Sequence, residues 1–353
     1  KISFDAFLEN DNKNAPLSLN LSKEDEQILA NAGNNQDLMF APSAVVTEYD
    51  VNKILYKLVQ NPQGNYYEFS TDKAETLYNV SFTYFGIGKG DYQLKQSTNN
   101  GRVFEFVGAG NGDYSALRKL PSPQKSQVFS TSAEYTFNKG KIGGDFSLSN
   151  YDVNLFSSKN NDQNTGFAGR IFGNKIFTKN NWNGTVGAEF QRISSQFHIL
   201  DRINDVEFSR DFNLTQEFNQ ITQNRLIFSI LNSWKNSNFI NYKLNYLNEK
   251  QSYNGIKNDL DFKFLKKNTE TRGNVSYLNT TSDFQDTQFA RGNVSTEILG
   301  KKGSWSFGGS FEHNLKNFNQ TKTLDVTSFS WKEVFIQKKI GDSLRTKLLA
   351  KSY

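Results

Sequence analysis

Two glycine-rich phrases hold the residue types in this chain that most resemble a ligand cradle. They read FGIGKGDY at residues 85–92 and VGAGNGDY at residues 107–114. Gly86, Gly88 and Gly90 precede Asp91 and Tyr92, and Gly108, Gly110 and Gly112 precede Asp113 and Tyr114 at the same spacing. A phosphate-binding loop uses such glycines, but its last glycine opens a helix whose N-terminal N–H groups meet the phosphate. Neither copy is followed by a helical pattern; the second runs into RKLPSP at 118–123. Each copy closes an alternating apolar run, where glycine's access to positive φ suits a turn. The ten residues therefore read as a repeated structural turn. Asp91 and Asp113 cap turns through their side chains, because a calcium loop needs a regular ladder of acids that is missing here.

The other residues with chemical potential read as structural. His198 and His313 are the two histidines, each beside apolar neighbours and without a second ligand at metal spacing. Glu24, Asp25 and Glu26 sit where acids stabilise a helix N-terminus. Asp259 and Asp261 alternate with Leu260 and Phe262, which places both on the polar face of a strand. No nucleophile elbow or phosphate-loop lysine is present. The expectation is a protein without catalytic residues, cofactor or bound metal.

The elements that must position these residues are mostly strands. The chain has 353 residues, 36% hydrophobic and 14% aromatic, with 31 Phe, 15 Tyr, five Pro and no Cys. Its mean hydropathy is −0.65. Rings bury large areas, so a few of them per strand hold a sheet together. The net charge of +5 is spread along the chain rather than clustered, which argues against nucleic acid as a partner. The chain opens at Lys1 and has one Met, Met39, and is read as a processed or excised segment.

One helix is legible. Ser22 is its N-cap, acids fill its first turn, Gly33 ends it, and Ile28, Leu29 and Ala32 form its buried stripe. Short strands are expected near 44–48 and 65–69. From residue 76 the period is two: Val80, Phe82 and Tyr84; Ala133, Tyr135 and Phe137; Ile142, Gly144, Phe146 and Leu148; and so on to Trp305, Phe307 and Phe311. Tight turns are expected at 138–141, 179–181, 235–238, 266–268 and 300–303. Longer polar connections are expected at 151–165, 201–220, 248–258 and 279–287. The fold class is all-β: a long antiparallel up-and-down meander, extended or barrel-like, with one short N-terminal helix. Residues 1–75 form a mixed segment and 76–353 the meander, burying one aromatic face.

Several phrases taken in order resemble a family of large envelope β-proteins of Bacteroidetes. They are LSKEDE at 21–26, ANAG at 30–33, the two glycine phrases, LPSP at 120–123 and DVEFSRDF at 205–212. Within that setting the chain resembles plug-type subunits of the type IX secretion translocon. The resemblance implies a non-enzymatic protein at the periplasmic face of the outer membrane. Its partner would be a large SprA-like translocon barrel whose periplasmic opening it occludes, with outer-membrane contact. The alternative reading is an integral outer-membrane β-barrel channel or transporter, with polar faces lining a lumen and Phe, Tyr, Leu and Val facing lipid.

Overall fold

The structure, a computed structural model, describes residues 1–11, 21–62, 64–201, 203–214, 221–235, 237–250, 252–283, 286–298, 305–318, 323–324, 328–340 and 344–352. It divides into two compact units. The first comprises Lys1–Leu8, Gln127–Asn150 and Gln163–Tyr353; the second comprises Glu9–Ser126 and Tyr151–Asp162. Neither limit falls at the 75/76 boundary read from the sequence.

After β1 (Ile2–Asn10), the second unit begins with α1 (Lys23–Ala32), which starts and stops where its sequence signals lie. The Ser22 hydroxyl accepts the Asp25 N–H at 3.2 Å, and the Asp25 carboxylate accepts the Ser22 N–H at 3.0 Å, a reciprocal capping box. Asp25 also receives both carboxylate-directed bonds of Arg118, at 2.6 and 2.7 Å. At the other end, buried Asn154 donates to the Leu29 and Gly33 carbonyls at 2.7 and 2.8 Å, and Ser157 donates to that of Ala30. The polar stretch after residue 151 thus satisfies carbonyls that a helix C-terminus leaves unpaired. Leu29 and Ala32 bury against Met39, Ala41 and Leu120, while Ile28 sits at the margin of that core.

Among the described residues, ten short strands follow: β2 (Phe40–Pro42), β3 (Val45–Thr47), β4 (Tyr56–Val59), β5 (Tyr66–Phe69), β6 (Leu77–Asn79), β7 (Thr83–Tyr84), β8 (Tyr92–Thr98), β9 (Gly101–Phe106), β10 (Tyr114–Ser115) and β11 (Leu117–Lys119). They form sheets ordered β3-β6-β4-β5, β7-β10-β8-β9 and β11-β2. The expected continuous strand through Val80, Phe82 and Tyr84 is not there. Phe82 leaves the ladder for a ring cluster, 4.5 Å from Phe104, 4.8 Å from Tyr92 and 5.1 Å from Tyr56. Ring burial outweighs the two or three ladder bonds that a longer strand would add.

The long meander begins at residue 125, not 76. It runs through β12 (Lys125–Phe137), β13 (Gly140–Asp152), β14 (Thr165–Lys179), β15 (Trp182–Ile193), α2 (Phe208–Asp211), β16 (Gln223–Trp234), β17 (Asn238–Glu249), β18 (Tyr253–Lys266), β19 (Thr269–Ser282), β20 (Thr287–Ile298), β21 (Trp305–Phe318), β22 (Thr323–Leu324), β23 (Phe329–Ile340) and β24 (Leu344–Ser352). Each strand pairs with its neighbour in sequence, apart from two additions: β22 adds to β21, and β1 adds to β12. Lys1 and Glu134 exchange backbone bonds at 2.7 and 2.8 Å, as an antiparallel pair does. Among the described residues β1 and β24 do not pair with each other, so the sheet is open.

The expected turns at 138–141, 179–181 and 266–268 are tight, with Asn180 and Lys267 at positive φ. The turn read at 300–303 lies outside the described residues, as do parts of those at 235–238 and 201–220. Two expected long connections, 248–258 and 279–287, are instead largely strand, since β17 runs to Glu249, β18 starts at Tyr253, β19 runs to Ser282 and β20 starts at Thr287. Their Asn and Thr residues lie on strand faces, and the sequence reading mistook that polar rim for loop.

Candidate functional site

The paired glycine phrases fold into one reciprocal clasp. The Gly90 and Gly112 amides each donate to the other's carbonyl, at 2.7 and 2.8 Å. Each aspartate caps the turn of the other copy: Asp113 accepts the Gly88 N–H at 3.0 Å, and Asp91 accepts the Gly110 N–H at 3.1 Å. Gly88 and Gly110 sit at φ 68° and 71° within the turns that Gly86 and Gly108 begin. A Cβ on Gly90 would lie 2.4 Å from the Tyr114 carbonyl oxygen, and one on Gly112 would lie 2.3 Å from that of Tyr92. Tyr92 is buried, donors reach its hydroxyl from the Tyr67 amide at 2.7 Å, and burial pushes its pKa up to about 12. The Tyr114 ring lies tilted against Phe104 at 4.8 Å and edge-on to Tyr84 at 5.3 Å. The capping role was legible; the exchange between copies was not, because it needs the pairing of residues 19 to 25 apart.

The larger feature is the meander, whose two faces have opposite chemistry. One face presents Ile142, Phe146, Leu148, Phe167, Ile171, Phe190, Leu226, Phe228, Val275, Phe307 and Phe311, all exposed. Register keeps them together: Gly144 opposes Ile171, Ile171 opposes Phe190, Phe190 opposes Leu226 and Leu226 opposes Tyr246. Tyr135 and Phe137, expected on one side with Ile142 and Phe146, are likewise exposed. The expectation that the sheet buries an aromatic face is corrected here: Ile171 is 65% and Val334 64% exposed, whereas Lys257 on the opposite face is 8%. The rings line up on one face, and no described layer covers them.

That apolar face is a bounded band. From Trp182 to Phe190 along β15 it spans nine residues, about 26 Å at about 3.3 Å per step. Beyond Phe190, on β15 to β18, the same face turns polar, whereas on β13 and β14 it stays apolar through Leu148 and Phe167. Arg192 donates to Asn224 at 3.2 Å, Asn224 to Asn248 at 3.3 Å, and Asn248 to Asn254 at 2.8 Å. At the tight-turn end lie Trp182, opposite Trp234 in register, and Trp305. Within the band the polar side chain of Asn258 accepts the Tyr242 hydroxyl at 2.7 Å.

The other face is ionic. Arg170 holds Asp145 at 2.6 Å, Lys263 holds Glu270 at 3.2 Å, and Lys257 holds Asp259 at 3.2 Å. Asp259 and Asp261 are therefore on a polar face, as read. A concavity of about 800 Å³ crosses β17–β21 and β23 on this side, lined by Asp261, Lys263, Arg272, Glu297 and Glu333. Gln337 donates to Glu297 across the intervening β21, so the sheet curls around its polar face.

The segment carrying α2 folds onto this polar face. Phe208 and Phe212 bury against Leu247, Tyr253, Leu278 and Phe289, and the Arg225 guanidinium lies 4.9 Å from the Phe208 ring. Asp211 pairs with Arg291 at 2.7 Å and with Lys257 at 3.0 Å. Burial raises the Asp211 pKa, but the two cations outweigh it and hold the carboxyl below its ordinary value. The sequence reading missed this latch. Its signal was the pair of rings flanking an acid at 208–212, inside a segment otherwise polar.

His198 lies in the connection after β15, where burial lowers its pKa, and its amide donates to Ser149 at 2.9 Å. His313 stacks on Phe311 at 5.7 Å. Among the described residues no cluster of three His, Asp or Glu is placed to hold a metal, and no helix is long and apolar enough to cross a membrane. No protein-family model and no curated protein matches the chain.

Proposed function

We propose that the first unit is a stretch of membrane-embedded β-wall, its apolar band against lipid and its ionic face against water. It would belong to an outer-membrane channel or transporter. The observation that carries this reading is the division of the sheet: rings exposed on one face, ion pairs gathered on the other, with those around Lys257 and Asp211 sheltered. A soluble sheet does the reverse, and contiguous apolar patches beyond a few hundred Å² are rare on soluble monomers. Transmembrane barrel strands alternate lipid-facing and lumen-facing residues in this way, cross in about 9–11 residues, and carry aromatic girdles at the interfaces. The nine-residue band, its polar rim and its three tryptophans suit that geometry. The latch at 208–212 occupies the water side and narrows the path along it.

The plug-type reading needs a partner barrel to cover the same face; lipid covers it without one. The test is extraction from membranes of cells expressing the protein. Retention through alkaline carbonate and urea, with release by detergent, supports the embedded wall. Release by carbonate or urea alone overturns it and returns the peripheral plug, which should then co-purify with a much larger barrel.

A further inference from the structure

The apolar face is not evenly filled. A groove of about 420 Å³ opens in it between β12 and β15. Its floor is Ala133, Gly144 and Gly169, which present little or no side chain, and its walls are the rings of Phe146, Phe167 and Phe190. Arg192 stands directly opposite Gly169 in the ladder and lines the groove beside Phe167, at the head of the polar row of Asn224, Asn248 and Asn254. Its guanidinium lies 5.9 Å from the Phe167 ring and donates to the Asn224 amide oxygen at 3.2 Å. Its partner is thus an amide, whereas Arg170, on the other face, is neutralised by Asp145. A guanidinium has five donors in a fork that matches phosphate, and a charge on a lipid-facing surface is tolerated at headgroup depth.

We infer that this groove holds one acyl chain of an anionic phospholipid, with Arg192 on the lipid phosphate. This rests on the membrane reading above and adds a specific occupant to it. The band supplies the medium: a chain lying in the groove exchanges bulk lipid for three ring walls. The rim supplies the selectivity, because the positive charge stands where the groove meets headgroup depth.

The experiment reconstitutes the full chain in nanodiscs of phosphatidylglycerol and phosphatidylcholine and measures retained lipid by native mass spectrometry. The parent is expected to keep one phosphatidylglycerol in preference to phosphatidylcholine. Arg192→Gln is expected to erase that preference, by about tenfold or more. Gly169→Leu fills the floor and is expected to lower retention of both lipids; a Cβ at Gly169 meets Phe146 no closer than 3.8 Å, so the backbone accepts it. Equal retention in parent and both variants, with all three resisting carbonate extraction, overturns the lipid site and leaves the membrane wall standing. Release of the parent by carbonate overturns both.

Discussion

At the scale of single residues, the clasp separates two reasons for glycine. Gly88 has open space around its Cβ position but φ of 68°, so Gly88→Ala meets backbone strain alone, about 1–2 kcal/mol. Gly112 has ordinary φ but no room, so Gly112→Ala must open the bridge to Gly90 and is expected to cost about 3 kcal/mol or more. Urea unfolding followed in the second unit checks the order; equal costs would mean the close approach is not needed. Asp25 gives a pH test. Burial raises its pKa, but the Arg118 bonds and the Ser22 amide outweigh it, and the folded value is depressed. Its stabilisation is therefore present above the unfolded value near 3.9 and is lost as pH falls through the lower folded one. Asp25→Asn is expected to cost about 1–3 kcal/mol at neutral pH and to flatten that acid dependence, read as hydrogen-exchange protection of α1. These roles were partly legible: Ser22 and Gly33 announce the helix ends by type. The Arg118 partner of Asp25 lies 93 residues away, and nothing local announces it.

At the scale of elements, period-two alternation made the strands from Ala133 onward readable, because each side chain's face follows from its parity. It did not say whether the apolar parity faces a core or lipid, since both environments select the same residues. Val80 to Tyr84 shows the opposite failure, alternation without a strand, because Phe82 is claimed by neighbouring rings. The band makes a depth prediction. Ile171→Arg, in mid-band, is expected to cost about 2–4 kcal/mol and to reduce insertion into vesicles, while Asn224→Arg, on the polar rim, costs about 0–1 kcal/mol. Heat-modifiable mobility on gels checks insertion. Equal behaviour of the two variants would deny that the rows differ in depth.

At the scale of the whole chain, the proposed wall would have its wet side on the ionic face, where the latch at 208–212 packs and pairs. Asp211→Asn strands Lys257 and Arg291 without their shared carboxylate. It is expected to weaken docking of α2 by about 1–3 kcal/mol, which opens the latch roughly tenfold per 1.4 kcal/mol. Hydrogen-exchange protection of residues 208–212 should fall accordingly; unchanged protection would mean that the shared carboxylate does not hold the latch. The two-sidedness itself is most directly read by tryptophan fluorescence. Trp234 lies on the apolar face opposite Trp182, and Trp331 points to the ionic face, its indole N–H on Glu312 at 2.8 Å. In vesicles of acyl-brominated lipid, a variant keeping Trp234 alone should be quenched by bromine and spared by aqueous iodide. A variant keeping Trp331 alone should show the reverse, and equal quenching of the two would contradict a sheet with one face in lipid and the other in water.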